Sequence, residues 1–232
     1  MSEKLDILIF GAHADDAEIG MGGTICKHVE AGLRVGICDL TAAEMSSNGT
    51  VERRKQEADE AGKVLGLTSR TNLGLPDRGL LINQHNIDCI TAEIRRHAPS
   101  IIFAPYWEDR HPDHVACSKL VEEAVFNAKL RRYMPDKPAV TVEQLYFYFI
   151  NDWVKADLIV DVSEQYAKKE QSLLCYRSQF EIEDEDHVFT PLNQGYIERV
   201  NYRDRLVGQR KLVSYAEGFA VKSPYLLDHF NI

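Results

Sequence analysis

The sequence contains few cysteines for its 232 residues, and none of the five belongs to a Cys-x-x-Cys pair. Their number is odd, and most of them sit in apolar surroundings, where free cysteine behaves as a small buried hydrophobic residue. We therefore expect reduced, mostly buried thiols. The five are Cys26, Cys38, Cys89, Cys117 and Cys175.

The sequence has no long apolar segment near its start. The first apolar run, Leu5 to Phe10, follows charged residues and leads directly into a segment rich in histidine and aspartate. A transmembrane helix needs about 20 mostly apolar residues, and a signal peptide needs a cleavage site after its apolar core. We expect neither feature, and hence a cytoplasmic protein with no membrane partner.

An excess of positive charge is also missing, because 27 Lys and Arg stand against 36 Asp and Glu, for a net charge of −9. The basic residues are spread among acidic ones, so no positive field attracts a phosphate backbone, and nucleic acid is not an expected partner. With 44% hydrophobic residues the chain can bury a sizeable core. We expect a single domain over residues 1–232.

Apolar, β-branched runs alternate with segments of helical periodicity along most of the chain. Uninterrupted apolar strands separated by helices are typical of a parallel sheet that helices cover on both faces. We expect a Rossmann-like, doubly wound α/β fold with a mostly parallel sheet. The predicted strands are Ile7–Phe10, Val35–Leu40, Ile101–Ala104, Leu145–Ile150 and Leu158–Val162; the predicted helices are Gly23–Ala31, Val51–Leu65, Ile87–His97, Asp113–Leu130, Val162–Tyr176 and Gly195–Lys211; loops are predicted at 127–141 and 181–186.

Two clusters of potential metal ligands each follow a predicted strand. Ligands of open α/β sheets gather beyond the carboxyl ends of the strands, so we expect both clusters at one edge. Each cluster contains two candidates three residues apart, a spacing that can aim both side chains at one point. The six candidates are His13, Asp15 and Asp16 after the first strand, and His111, Asp113 and His114 after the strand Ile101–Ala104.

Six candidates exceed what ligation requires, because a catalytic zinc takes three protein ligands and leaves one position for water. Adjacent side chains such as Asp15 and Asp16 do not easily face the same ion. If Asp16 ligates together with His13, Asp15 is free to act on bound water. Each cluster alone is also consistent with helix capping or with charge compensation at a helix start. Their joint occurrence favours a metal site.

The glycines of the segment Gly20–Gly23, with Asp39 at the end of the second strand, suggest a dinucleotide-binding motif. That motif needs its glycines in the first turn after the strand, where the backbone approaches a pyrophosphate. Here that turn holds a histidine and two aspartates, which would repel phosphate. We therefore reject the dinucleotide interpretation.

The two clusters resemble the paired motifs of the LmbE-like, or PIG-L, family of zinc N-acetylglucosaminyl deacetylases, which read Ala-His-Pro-Asp-Asp and His-Pro-Asp-His. In this chain Ala14 replaces the first proline, which changes backbone stiffness and not ligand chemistry. The ending Tyr-Ala-Glu-Gly-Phe is similar to the subgroup that makes bacillithiol by deacetylating N-acetylglucosaminyl malate. Further resemblance lies in Thr41–Glu44, Gly49–Glu57, Leu75–Asp77 and Tyr215–Phe219, so it covers nearly the whole chain.

The resemblance implies a role for each site residue, whereas composition and spacing alone do not rank His111 against His114. Zinc is the implied metal, with iron(II) or another divalent ion as the alternative, and the implied assembly is a homohexamer. The implied ligands are His13, Asp16 and His114; the implied general base is Asp15, with His111 as acid or oxyanion partner; Arg54 and, less directly, Tyr196 are implied to bind substrate.

Two other classes of function use the same types of residue. A metal-dependent phosphoesterase would normally need a second metal or a cationic phosphate cradle, and only Arg54 and Arg110 lie near the motifs. A non-catalytic metal-binding or sugar-binding module has no use for a spare base beside its ion. A third alternative keeps the chemistry and changes the substrate to another N-acetylated sugar such as N,N'-diacetylchitobiose.

Overall fold

The computed structural model describes residues 4–152, 155–182 and 186–224, and strands and helices alternate along this part of the chain. The strands are β1 (Ile7–Gly11), β2 (Val35–Thr41), β3 (Ser69–Leu75), β4 (Ile101–Pro105), β5 (Gln144–Tyr148), β6 (Leu158–Asp161) and β7 (Ala216–Ala220). The helices are α1 (Asp16–Glu30), α2 (Val51–Leu65), α3 (Gln84–His97), α4 (Pro112–Ala128), α5 (Tyr166–Leu174), α6 (Arg177–Phe180) and α7 (Tyr196–Gln209).

The strands form one seven-stranded sheet in the order β3-β2-β1-β4-β5-β7-β6. Strands β1 to β5 pair in parallel, whereas β7 runs antiparallel to both of its neighbours. The strand order reverses beside β1, which places a crevice between the loops after β1 and β4. The doubly wound, mostly parallel α/β fold is confirmed.

Alternate residues of β1 enter two different cores, one on each face of the sheet. Leu8 and Phe10 pack in the core beneath α3 and α4, and Ile7 and Ile9 pack in the core with α1, α5 and α7. All five residues of β1 are buried. Burial on both faces explains why the strand is apolar without interruption.

Helix α1 begins earlier than predicted, at Asp16 and not at Gly23, and it is kinked at Met21. Its glycines are packing residues: a Cβ on Gly20 would lie 2.2 Å from Cδ2 of the buried Tyr148 ring. Asp39 is bound to Arg70 at 2.9 Å and 3.1 Å. The structure thus supports the rejection of a dinucleotide motif, because the glycines and Asp39 all have structural partners.

The remaining boundaries differ from the predictions by a few residues, but strands β3 and β7 and the short helix α6 were not predicted. The predicted loop at 127–141 begins after α4 ends at Ala128, and Arg95 holds it by donating hydrogen bonds to the carbonyls of Tyr133, Met134 and Lys137. Of the predicted acidic loop, residues 183–185 lie outside the described part. Three cysteines are buried, and Cys89 and Cys175 are half-buried. Within the described ranges, no helix is long and apolar enough to cross a bilayer.

Candidate active site

Both predicted ligand clusters lie at the carboxyl edge of the sheet. The first follows β1 and continues into α1, while the second follows β4 and ends in the first turn of α4. The rings of His13 and His111 have centroids 4.9 Å apart, and those of His111 and His114 are stacked at 4.7 Å. The fold therefore brings together residues that are about 100 positions apart in sequence.

Asp16 lies between the two histidines that the sequence assigned to the metal. Its Oδ1 is 3.1 Å from Nε2 of His114, and its Oδ2 is 3.8 Å from Nδ1 of His13. Donors held about 2.0–2.1 Å from a tetrahedral zinc are separated by roughly 3.3 Å. The spacing and the His, His, Asp donor set fit such an ion. Ring nitrogens of His13, His111 and His114 also come within 4.8 Å of one another, so spacing alone leaves His111 as a possible ligand.

In both His13 and His114, the ring nitrogen that is not directed at Asp16 lies close to another carboxylate. Nε2 of His13 is 3.1 Å from Asp77, and Nδ1 of His114 is 3.0 Å from Asp109. Metal-ligating histidines typically donate their second ring N–H to a carboxylate in this way, which fixes the tautomer and the ring orientation. Among the described residues no carboxylate is bonded to the ring of His111, whose Nδ1 instead accepts from the backbone N–H of Asp113 at 3.3 Å. This difference supports His13, Asp16 and His114 as the ligand set.

These surroundings also shift the pKa values of the two imidazoles. Burial disfavours the charged ring of His13, but hydrogen bonds to Asp113 and Asp77 outweigh it and raise its pKa to about 10. For His114, burial is outweighed by the charges and hydrogen bonds of Asp16 and Asp109, and the pKa rises to about 9. Without metal both rings are cationic at neutral pH, so metal binding must release their protons.

Asp77 and Asp109 were not recognised as site residues from the sequence. Asp77 follows β3, a strand that the sequence did not reveal, and its backbone N–H donates to Glu44 at 2.7 Å. Asp109 also accepts from Asn151 Nδ2 at 2.8 Å. Their positions in the sequence could have indicated this role, because an aspartate just after a strand lies at the same edge of the sheet as the proposed ligands.

We predict that Asp109→Asn weakens metal binding about 10-fold to 100-fold, since an amide cannot serve as a full negative acceptor for His114. Competition with a chromogenic chelator measures the affinity. Asp136→Asn, in the loop after α4, is the matched control and should bind metal as the parent does. Equal affinity of the Asp109 variant and the parent would show that Asp109 does not support the ligand.

Asp15 is buried beside the ligands and has a left-handed backbone, with φ of 107°. This region is uncommon for residues other than glycine, and such strain concentrates at functional sites. Burial raises the pKa of the carboxyl, although the charge of Arg54 opposes the shift. A raised pKa suits a group that must accept a proton and later release it.

Arg54, which the resemblance implies to bind substrate, lies beside Asp15. Its guanidinium is 3.3 Å from Asp15 Oδ2, also donates to the Ala14 carbonyl, and is only 3% exposed. Its charge is thus committed to Asp15. Arg54 and Glu57 are three residues apart on α2 and so have the spacing of a helical ion pair, but Glu57 binds Arg53 and Ser178 instead.

His111 is the N-cap residue of α4, and burial together with the charge of His114 lowers its pKa. Because Nδ1 accepts the N–H of Asp113, the neutral ring carries its proton on Nε2. A neutral His111 can donate one hydrogen bond from Nε2. The geometry therefore favours an oxyanion partner over a protonated general acid.

A cavity of about 530 Å³ opens over these residues. Tyr196 forms part of its wall, with its hydroxyl 3.0 Å from Asn151 Oδ1. Tyr196 therefore lies on the wall of the candidate site. Other lining residues are His13, Asp15, Asp16, Met45, Asp77, Arg110, His111, His114 and Gln179.

A doubly wound sheet with a His, His, Asp set and a spare aspartate in a cavity at its carboxyl edge is typical of a metal-dependent hydrolase. Comparison with known proteins narrows this class. Residues 8–125 match the model of the PIG-L family, described as GlcNAc-PI de-N-acetylase, and the chain belongs to that family. It is accordingly an enzyme of the deacetylase class, whose members hydrolyse amides.

Three similar proteins illustrate the relationship. The structure of the conserved protein TT1542 from Thermus thermophilus is 38% identical, with a TM-score of 0.89 over 98% of this chain and 99% of that one. Diacetylchitobiose deacetylase of Thermococcus kodakarensis is 28% identical over 91% of this chain and 81% of its own length. A probable N-acetyl-alpha-D-glucosaminyl L-malate deacetylase 2 of Bacillus subtilis is 28% identical over 77% and 85%, respectively.

Proposed function

We propose that this chain removes the acetyl group from N-acetylglucosaminyl glycosides, with N-acetylglucosaminyl malate as substrate and zinc as the bound metal. The observation that carries the proposal is the division of the site into three metal-directed side chains and one buried, unligated base, Asp15. Iron(II) fits the same N and O donors. The malate relative supports the substrate, and the chitobiose relative supports the nearest alternative.

The side chains of the chain have distinct tasks in this reaction. Zinc held by His13, Asp16 and His114 would supply a Lewis acid that lowers the pKa of a water to about 7. Asp15 accepts the proton of the attacking water, and Nε2 of His111 donates a hydrogen bond to the acetyl oxygen as negative charge develops there. Asp15 then returns the proton to the departing nitrogen, which gives acetate and a free amine.

The proposal also includes the location, the pathway and the assembly of the protein. We place the chain in the cytoplasm and in bacillithiol biosynthesis, and we take residues 1–232 as one deacetylase domain that assembles as a homohexamer. The resemblance of the motifs supports the pathway and the assembly. Arg54, which the resemblance implies to bind substrate, also supports catalysis in this scheme by holding Asp15.

Acetate release from a panel of substrates tests the proposed function. N-Acetylglucosaminyl malate should give a higher kcat/KM than N,N'-diacetylchitobiose and free N-acetylglucosamine, and p-nitrophenyl phosphate should not be hydrolysed. Chitobiose as the best substrate would replace the malate assignment and keep the chemistry. Phosphate release without acetate release would favour the phosphoesterase, and no turnover at all would favour the binding module.

A further inference from the structure

A second cavity of about 300 Å³ adjoins the cavity over the metal-directed residues. The two share the side chains of Arg110, Asn151 and Tyr196 as a common wall. A ligand whose acetamide lies at His13 and His111 can therefore extend past Tyr196 without leaving the protein surface. We call this second cavity the side cavity.

Three arginines line the side cavity, and one of them is fully committed to the fold. Arg203 donates to the carbonyls of Ile19 and Ile150 at 2.7 Å and 2.9 Å and pairs with Asp204 at 2.9 Å. It fixes the floor of the cavity and keeps the segment before Asn151 in place. Its donors are thus used within the protein.

Arg110 and Arg199 differ from Arg203 because both are exposed. In the part of the chain that the structure describes, no hydrogen bond or ion pair engages either guanidinium. The charge of Arg110 acts on the Tyr196 hydroxyl, which places Arg110 close to the shared wall. Asp152 is the one acidic residue among the described residues of this lining, so positive charge dominates there.

The main cavity differs, because Asp15, Asp16 and Asp77 line it and its other two arginines are already paired, Arg54 with Asp15 and Arg78 with Asp113. An anionic group is disfavoured among these carboxylates and favoured beside unpaired guanidinium groups. The planar fork of arginine also matches a carboxylate with two parallel hydrogen bonds. The charge distribution thus orients a ligand that is neutral at one end and anionic at the other.

We propose that the side cavity is the aglycone subsite and that Arg110 and Arg199 bind a carboxylate of the group glycosidically linked to the sugar. The proposal rests on the proposed deacetylase function and assigns the specificity residues of that site. The guanidinium of Arg54 is bound to Asp15, whereas Arg110 and Arg199 line the side cavity.

The test compares N-acetylglucosaminyl malate with its dimethyl ester, which has a similar shape but no charge. The parent should prefer the acid by at least about tenfold in kcat/KM, mainly through KM. Arg110→Gln and Arg199→Gln should each reduce this preference about fivefold to tenfold, and the double variant should abolish it. Arg132→Gln is the matched control, because it removes an exposed charge from the loop after α4, at the opposite end of a helix that is roughly 25 Å long.

Binding of the deacetylated product, glucosaminyl malate, is measured by calorimetry on the same proteins and does not depend on turnover. Weaker binding to both arginine variants, with unchanged binding to Arg132→Gln, supports the subsite even if hydrolysis is absent. If the double variant keeps both the preference for the acid over the ester and the affinity for glucosaminyl malate, the proposed subsite is wrong. Equal hydrolysis of acid and ester by the parent would also overturn it, while leaving the deacetylase function intact.

Discussion

Asp15→Asn is expected to lower kcat about 10²-fold to 10⁴-fold while the protein keeps its metal. The amide has nearly the same shape as the carboxylate but cannot accept the proton of the attacking water. Acetate release gives kcat, and plasma emission spectrometry gives metal per chain. We expect kcat to fall while the metal content is unchanged, because we assign Asp15 as the general base and not as a ligand.

Two further measurements distinguish a loss of catalysis from a folding defect in the Asp15→Asn variant. The variant leaves the buried Arg54 without its carboxylate partner, and an unpaired buried charge is destabilising. Thermal unfolding therefore accompanies the assay, and Arg54→Met with Asp15→Asn removes both charges together. If metal is lost in parallel with activity from a folded variant, Asp15 is a ligand and the division between Asp15 and Asp16 is wrong.

Substitutions of His114 and His111 are expected to show which histidine binds the metal and which stabilises the oxyanion. His114→Ala should lose most of its metal and nearly all activity, because it removes one of three ligands. His111→Asn should keep its metal and lose about 10²-fold to 10³-fold in kcat, the usual loss for one oxyanion donor. Asparagine is chosen because it can still cap α4. Metal loss from His111→Asn and retention in His114→Ala would reverse the two roles.

The sequence predicted the elements whose physical causes are local. Strands β1, β2 and β4 are continuous apolar runs, because both of their faces are buried, and α2 has a capping threonine before it and Gly66 after it. Strand β3 was not predicted, since Ser69–Leu75 is largely polar and only partly buried. Strand β7 is a five-residue segment with Glu217 and Gly218 at its centre, and its pairing depends on distant strands.

The start of α1 was missed for a related reason. The sequence Asp16–Gly23 has three glycines, which disfavour a helix, so local propensity predicts a later start. Tertiary packing decides otherwise: Glu217 accepts the backbone N–H groups of Gly23 and Thr24 and is itself paired with the buried Lys169. These partners come from β7 and α5, far away in sequence.

The seven predicted site residues all line one cavity, yet their contacts could not be predicted from spacing. Arg54 has the spacing of a helical ion pair with Glu57, but the fold directs it to Asp15 instead. The carboxylates behind His13 and His114 come from the loops after β3 and β4, so their role becomes visible only when the strands are side by side. The two motifs indicated a metal site. The residues that support its ligands depend on which strands the fold places side by side.

Removal and restoration of the metal test the central claim most directly. Protein treated with a chelator and shown by emission spectrometry to be metal-free should release no acetate from N-acetylglucosaminyl malate. Adding one equivalent of zinc or iron(II) should restore acetate release in proportion to the metal bound, because His13, Asp16 and His114 hold the Lewis acid that the reaction needs. Full acetate release by the metal-free protein would contradict the account.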